Sequence, residues 1–369
     1  MARYKHYINQ TVLEAARQRI AHVYDVFDSV VVAFSGGKDS LALLHLVYDH
    51  ALRLGRLPVD VIFRDEELIP DSVVDFVNEY RQKSWVRMRW YCYPMESQTW
   101  VLGTHGTYAQ WGEDRRDSWV RQPPPWALRP PPGDIRLYQQ NTMDDVLAAP
   151  YPGRTAFMMG IRASESLVRY RSVVNKLNEN YICKPGGGNN PRVFSVKPVY
   201  DWEENDVMKF LGESGIRWSS IYDAQHLAGN KLRVATPVHV DAAKRFHYWR
   251  TQDPDFYQRV VDSFPEMTLQ ERYHADFDRD AIARPYLHDG FNGCRRYIMD
   301  HITEPDARQM AQDRLQEFLM LSLKDPAGYS PEWLLKNLVS SVLKRTIQPN
   351  VLDGSRKRRT FETSEEATS

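Results

Sequence analysis

One junction constrains this chain more than any other. Ser29–Phe34 reads SVVVAF, Ser35-Gly36-Gly37-Lys38-Asp39-Ser40 follows at once, and the segment from Asp39 continues DSLALLHLVYDHALRL. A β-branched run with no polar alternation suits a parallel strand covered on both faces. The two glycines free the backbone for a tight turn. Leu41, Leu44, Leu46 and Tyr48 then supply apolar positions of a helix, with Gly55 near its end. A strand that turns directly into a helix commits the region to a βα unit, and such units close by pairing with further parallel strands.

The flanking sequence supplies those partners. Val12, Ile20, Val23 and Phe27 share one face of a predicted helix over 11–27. Pro58–Phe63 predicts a second strand, Asp71–Arg81 a second helix, Val86–Tyr93 a third strand, Thr155–Gly160 a fourth and Arg192–Lys197 a fifth. The expected fold class is α/β, a doubly wound parallel five-stranded sheet with its ligand crevice beyond the strand C-termini. Residues 96–150 break the rhythm with Trp100, Trp111, Trp119, Trp126 and the proline runs 123–125 and 130–132. They are expected to form an insertion with little regular structure, either an aromatic cap on the sheet or a substrate lid. Asp201 and Glu204 have capping-box spacing. Beyond about residue 240 the pattern is helices and turns. The expected division is therefore a nucleotide-binding domain over 1–240, a helical C-terminal region over 241–350 that closes over the site, and a disordered tail over 351–369 carrying Arg356-Lys357-Arg358-Arg359.

Composition excludes several classes. Acidic and basic residues balance at 48 each, so net charge gives no reason to coat nucleic acid or an anionic membrane, and any such contact must be local. The longest apolar runs, Val30–Phe34 and Met158–Ile161, fall far short of the roughly 20 residues of a membrane span. The first residues lack the apolar core of a secretory signal, and the expected location is the cytoplasm. Cys92, Cys183 and Cys294 lie far apart with no CxxC pair, so no disulfide framework, cysteine metal site or iron–sulfur cluster is expected. A catalytic thiol is the alternative use, with Cys294 the foremost candidate.

The chemistry concentrates in the junction itself. A strand ending in SGGKDS at a helix start gathers backbone N–H groups around one small space, which favours an anion. Ser35, Ser40 and Lys38 add donors, while Gly36 and Gly37 let phosphate oxygens approach the main chain. The Walker pattern GxxxxGK[ST] is absent.

The loop resembles the PP-loop of ATP pyrophosphatases, SGGxDS, at all its fixed positions. Gly160-Ile161-Arg162-Ala163-Ser164-Glu165-Ser166 with Arg169, and Lys197-Pro198-Val199-Tyr200-Asp201-Trp202 with Asp206-Val207, resemble the GIRxxES and KPxxxWxxxDV signatures of the phosphoadenosine phosphosulfate (PAPS) reductase family. Ile221-Tyr222-Asp223 is similar to its PLYD segment, and the likeness covers about residues 25–225. The resemblance implies an adenine nucleotide alpha-hydrolase-like fold in which residues 35–40 hold the pyrophosphate end of ATP while AMP passes to an acceptor, in sulfur transfer or nucleic-acid modification. It implies nucleotide contacts from Ser35, Gly36, Gly37, Lys38, Asp39, Ser40, Asp65, Gly160, Arg162, Glu165, Arg169 and Lys197. Lys38, Asp39 and Arg162 are the implied catalytic group, with Mg²⁺ held by Asp39 and Asp65. Arg162 and Arg169 have the fork geometry for phosphate or sulfate oxygens, or else pair with Glu165. Asp65 reads equally as part of a solvated acidic loop. Trp202 and Asp201 read as helix entry and core packing.

The resemblance departs where reductases carry an ECGLH-like cysteine motif, because Cys294 stands in Asn292-Gly293-Cys294-Arg295-Arg296. Two arginines there are expected to lower a thiol pKa. Thiol-dependent PAPS reduction is thus an alternative. Another follows from likeness to phage and prophage reductase-like proteins without the reductase cysteine, through the DEE of 65–67 and Ala235-Thr236-Pro237 with His239. That likeness implies an ATP-sensing regulator acting through a protein partner or DNA.

Overall fold

The structure is a computed structural model. It describes residues 9–350 apart from 103, 167–168, 171, 174–180, 184–189, 228–235, 274–278, 303–304, 341–346 and 348. The described residues form two compact units, one ending at Glu271 and a second from Arg272 onward. The first unit thus runs on past the division expected near residue 240.

Helix α1 (Val12–Val26) starts at a capping box in which Thr11 and Glu14 satisfy each other's backbone amides. Strand β1 (Ser29–Ala33) leads through the glycine loop into α2 (Lys38–Arg53), then β2 (Val59–Arg64), α3 (Asp71–Arg81) and β3 (Val86–Tyr91). After an excursion, β6 (Thr155–Met159), β7 (Ile182–Cys183) and β8 (Val193–Val196) complete the sheet, in the order β3-β2-β1-β6-β8-β7. All pairs are parallel except β7 with β8.

The sheet has six strands rather than the expected five. The extra strand, β7, is two residues long, too short to display any side-chain period. The Gly186–Gly188 loop and the 351–369 tail lie outside the described residues.

The doubly wound layout is written in β1. Val30, Val32 and Phe34 bury in one cluster with Leu41, Leu44 and Val47 of α2 and Phe76, Val77 and Tyr80 of α3. Val31 belongs to a second cluster on the other face, with Met143, Leu147 and Ala148 of α4 (Gln140–Ala148). Each fully buried side chain of this kind contributes about 1.5–3 kcal/mol. A strand apolar on both faces is therefore stable only between two helical layers.

Residues 96–150 are not irregular as expected. Strands β4 (Met95–Val101) and β5 (Thr104–Gln110) form an antiparallel ribbon, turned at Leu102 with φ 47°, and α4 follows the proline-rich stretch. Trp100 and Tyr108 are buried on this ribbon. Helix α5 (Glu204–Glu213) also departs from expectation. Its amide cap is the Glu203 N–H donating to Asp206 Oδ2 at 2.7 Å, whereas Asp201 accepts both Nη groups of Arg19, at 2.7 and 2.8 Å. Trp202 packs in the core and donates to Val12 O.

In the second unit, Gly290–His301, Pro305–Ser322 and Pro331–Val339 are helical, and their buried faces meet in a cluster that includes Cys294, Ile298, Leu315, Phe318 and Leu335. No helix among the described residues is long and apolar enough to cross a membrane.

Candidate functional site

Strands β1 and β6 are neighbours, with Ala33 opposite Met159, so the loops leaving them emerge side by side. From β1 the chain moves to β2 on one side, while β6 lies on the other; this is the point where a doubly wound sheet opens a crevice. A cavity of about 1180 Å³ lies there, lined by Ala33, Ile62, Arg64 and Met159 from strand ends, by the glycine loop and by residues 239–252. A second cleft, of about 560 Å³, is lined by Asp28, Asp60, Arg87 and other residues at the strands' N-terminal ends, and carries none of the motif residues.

Within the loop, Gly36 adopts φ +75°, and a Cβ there would meet Val77 Cγ2 at 2.8 Å and Val73 Cγ1 at 3.0 Å. Only glycine fits both the conformation and the space. Gly37 caps α2, whose first helical residues are Lys38, Asp39 and Ser40 with amides that lack an intrahelical acceptor. Ser40 Oγ accepts from the Ser35 amide at 3.2 Å and donates to Gly37 O at 2.9 Å, which ties the loop into a ring. Gly160 closes on this turn from β6. A Cβ at 160 would stand 2.5 Å from Asp39 C and from Ser40 N, so backbone lies on backbone.

The charged groups form one cluster around Asp39 and Arg162. Arg162 Nε donates to Asp39 Oδ1 at 2.5 Å, and its Nη1 donates to Ser164 Oγ. Lys38 Nζ lies 3.2 Å from Asp39 Oδ2 and 3.6 Å from Glu204 Oε2. Lys38 is 3% exposed and Arg162 4%, so both cations sit largely out of water. Arg169 pairs with Glu165. Tyr222, on the short helix α6 (Ile221–Leu227), accepts the Lys38 amide at 2.9 Å.

Ser35, Gly37, Lys38, Asp39, Ser40, Gly160, Glu165 and Arg169 all line the cavity. Arg162 backs it through Asp39. Lys197 is buried behind it, donating to Ser172 Oγ at 2.9 Å. Asp65 is not among the lining residues. Its carboxylate is fully covered, accepting from Trp90 Nε1 at 2.8 Å, the Glu67 amide at 3.0 Å and Arg121. This overturns the solvated-loop reading. Glu66 lines the cavity instead, accepting from Thr236 Oγ1 at 3.1 Å. Sequence reasoning took Asp65 rather than Glu66 from the DEE after β2, and missed Lys244, Arg245 and Trp249 on the wall, because nothing in their local pattern points toward a crevice formed at residue 35.

Among the described residues no group of three or more His, Cys, Asp or Glu is arranged to hold a metal ion. Both oxygens of Asp39 already face cations. The residues fit an ion carried in on phosphates better than a resident metal.

The thiols are free and mostly buried. Burial pushes Cys294 up to about 12, the reverse of the lowering expected from its two arginines. Arg295 turns to Asn292 and Arg296 to Asp289, and the thiol donates to Pro331 O at 3.3 Å. Cys92 is raised further still, by burial and by the Asp65 charge 3.6 Å away.

The chain is similar to several known proteins. Residues 29–260 match the phosphoadenosine phosphosulfate reductase domain. The uncharacterized protein YbdN of Escherichia coli (strain K12) is 26% identical over 275 residues, which cover 69% of this chain and 66% of YbdN; the chain thus spans just under two thirds of that relative. Candida glabrata FMN adenylyltransferase in complex with ATP aligns with 59% of this chain and 62% of its own at 13% identity and TM-score 0.38. Phosphoadenylyl-sulfate reductase from Candida auris, in a phosphate complex, aligns with 60% of this chain and 88% of its own at 13% identity and TM-score 0.33. With both signature loops converging on one cavity and the family match running from β1 to residue 260, the chain belongs to the phosphoadenosine phosphosulfate reductase domain family.

Proposed function

We propose that the protein binds ATP with its triphosphate on the 35–40 loop and cleaves it between the α- and β-phosphates, passing AMP to an acceptor. The observation that carries this reading is the contact of Gly160 with the Asp39–Ser40 backbone, which brings the two signature loops to one side of one cavity. Phosphate oxygens meet orphan helix amides there, with Lys38 beside them.

An acceptor oxygen or nitrogen attacks the α-phosphorus, the bond to the bridging oxygen breaks, and pyrophosphate leaves toward the loop. Charge gathers on the leaving group, where fixed N–H donors and Lys38 stabilise it without reorganisation. Mg²⁺ would enter as part of the substrate, with Asp39 on the cavity wall as a carboxylate to meet it. The cavity volume, about 1180 Å³, exceeds the roughly 300–1,000 Å³ of a single-ligand pocket and so leaves room for an acceptor beside the nucleotide. Three free thiols suit the reducing cytoplasm.

The test is to incubate the protein with Mg²⁺ and α-labelled ATP, with and without candidate acceptors, and to separate the labelled products. AMP or adenylated acceptor together with pyrophosphate is the expected result. Formation of ADP and orthophosphate alone refutes the reading.

A further inference from the structure

Tyr222 sits in a small buried cluster with Val73 and Ile221. Its side chain is 3% exposed, yet it is part of the cavity wall. The phenol oxygen accepts the Lys38 amide at 2.9 Å, and a Cβ on Gly37 would stand 3.2 Å from it. Lys38 is the first residue of α2, so this N–H is one of the donors the helix leaves unused. One amide of the loop therefore ends on a hydroxyl instead of on open space.

A phenol that accepts one hydrogen bond still has its own hydrogen to give. Among the described residues Tyr222 donates to no acceptor. Burial raises its ionisation well above the ordinary tyrosine value, outweighing the opposing Lys38 amide, so the hydroxyl keeps its hydrogen at neutral pH. The Lys38 ammonium lies over the ring, 5.6 Å from its centre, and both residues line the cavity.

We infer that Tyr222 contacts phosphate: its hydroxyl receives the Lys38 amide and donates in turn to an oxygen at the pyrophosphate end of the nucleotide. The inference rests on the reading of the loop as an ATP site. A donor already polarised by an incoming amide gives a stronger outgoing bond, and a charged acceptor strengthens it again. The hydroxyl carries the helix N-terminus one group further into the cavity.

The experiment is titration calorimetry of the full chain with Mg²⁺ and, separately, inorganic pyrophosphate, ATP and AMP. Tyr222→Phe is expected to weaken pyrophosphate and ATP about tenfold, as for one hydrogen bond to a charged group, while AMP, which lacks that end, changes less than about twofold. Tyr222→Gln, which offers both an acceptor and a donor, is expected to bind pyrophosphate more tightly than the Phe variant. If the parent chain binds none of the three probes, the nucleotide reading fails and this inference with it. If the parent binds pyrophosphate and Tyr222→Phe binds it equally well, the relay alone is overturned. Tighter binding by the Phe variant also overturns it, since the phenol would then compete with phosphate for the amide. Equal losses for AMP and pyrophosphate, or a Gln variant no better than Phe, overturn it as well.

Discussion

Arg162 Nε lies 2.5 Å from Asp39 Oδ1, joining two signature loops 123 residues apart in the chain. The pair has side-chain exposures of only 5% and 15%, so removing Arg162 leaves one Asp39 oxygen uncompensated in a poorly hydrated place, with Lys38 still 3.2 Å from the other. Arg162→Ala is expected to cost about 3–5 kcal/mol in urea unfolding, the usual loss for breaking a buried pair. Arg162→Lys keeps the charge without the planar fork and is expected to recover only part. A loss under about 0.5 kcal/mol for the Ala variant would show that water already screens the contact.

Gly160→Ala places a methyl 2.5 Å from the backbone of Asp39 and Ser40, where no flexible side chain can yield. The two loops must separate. The expected cost is about 1–3 kcal/mol of stability, with ATP affinity lower by at least tenfold in calorimetry. Full affinity in this variant contradicts the account of how the loops meet.

Asp65 is held by Trp90, Arg121 and the Glu67 amide outside the cavity lining, an arrangement that predicts a structural role. Asp65→Asn is expected to lower the urea midpoint while the folded protein keeps its ATP dissociation constant within about twofold. A large loss of affinity with an unchanged midpoint would return Asp65 to the nucleotide.

Burial lowers His45 to about 4, and its Nε2 lies 2.8 Å from the Tyr80 hydroxyl. The folded state therefore holds this imidazole neutral, and the unfolded chain binds the proton more readily. The contribution to stability is whole above the unfolded value near 6.5 and is lost as pH falls from there through about 4. Urea midpoints of the parent chain measured across that window should decline more steeply than those of His45→Gln. Parallel curves would assign the acid sensitivity elsewhere.

What could be read in advance follows from range of interaction. The βα junction at residues 29–53 was legible because strand, glycine turn and helix are each local patterns, and the resulting sheet places the loop at a crevice as expected. The Asp65 environment was not legible, since Trp90, Arg121 and Trp111 reach it only after three separate segments have met. Arg162 shows the middle case: its motif marked it, but its partner Asp39 emerged only from the pairing of β1 with β6. The β4–β5 ribbon was hidden because its segments MESQTWV and THGTYAQ carry no clear period of two, and the prolines further on point to irregular structure.

Glu67 has φ 63° and no exposure, and its carboxylate accepts the Trp111 amide at 2.6 Å and faces Arg115. Burial still pushes that carboxyl above its ordinary value. The strap from 111 to 121 therefore completes the end of β2 as a plug completes a socket. Excising it to make a minimal domain, or exchanging it for a relative's segment, would leave two acids without their arginines. Any redesign of this region must move the DEE acids and the strap together.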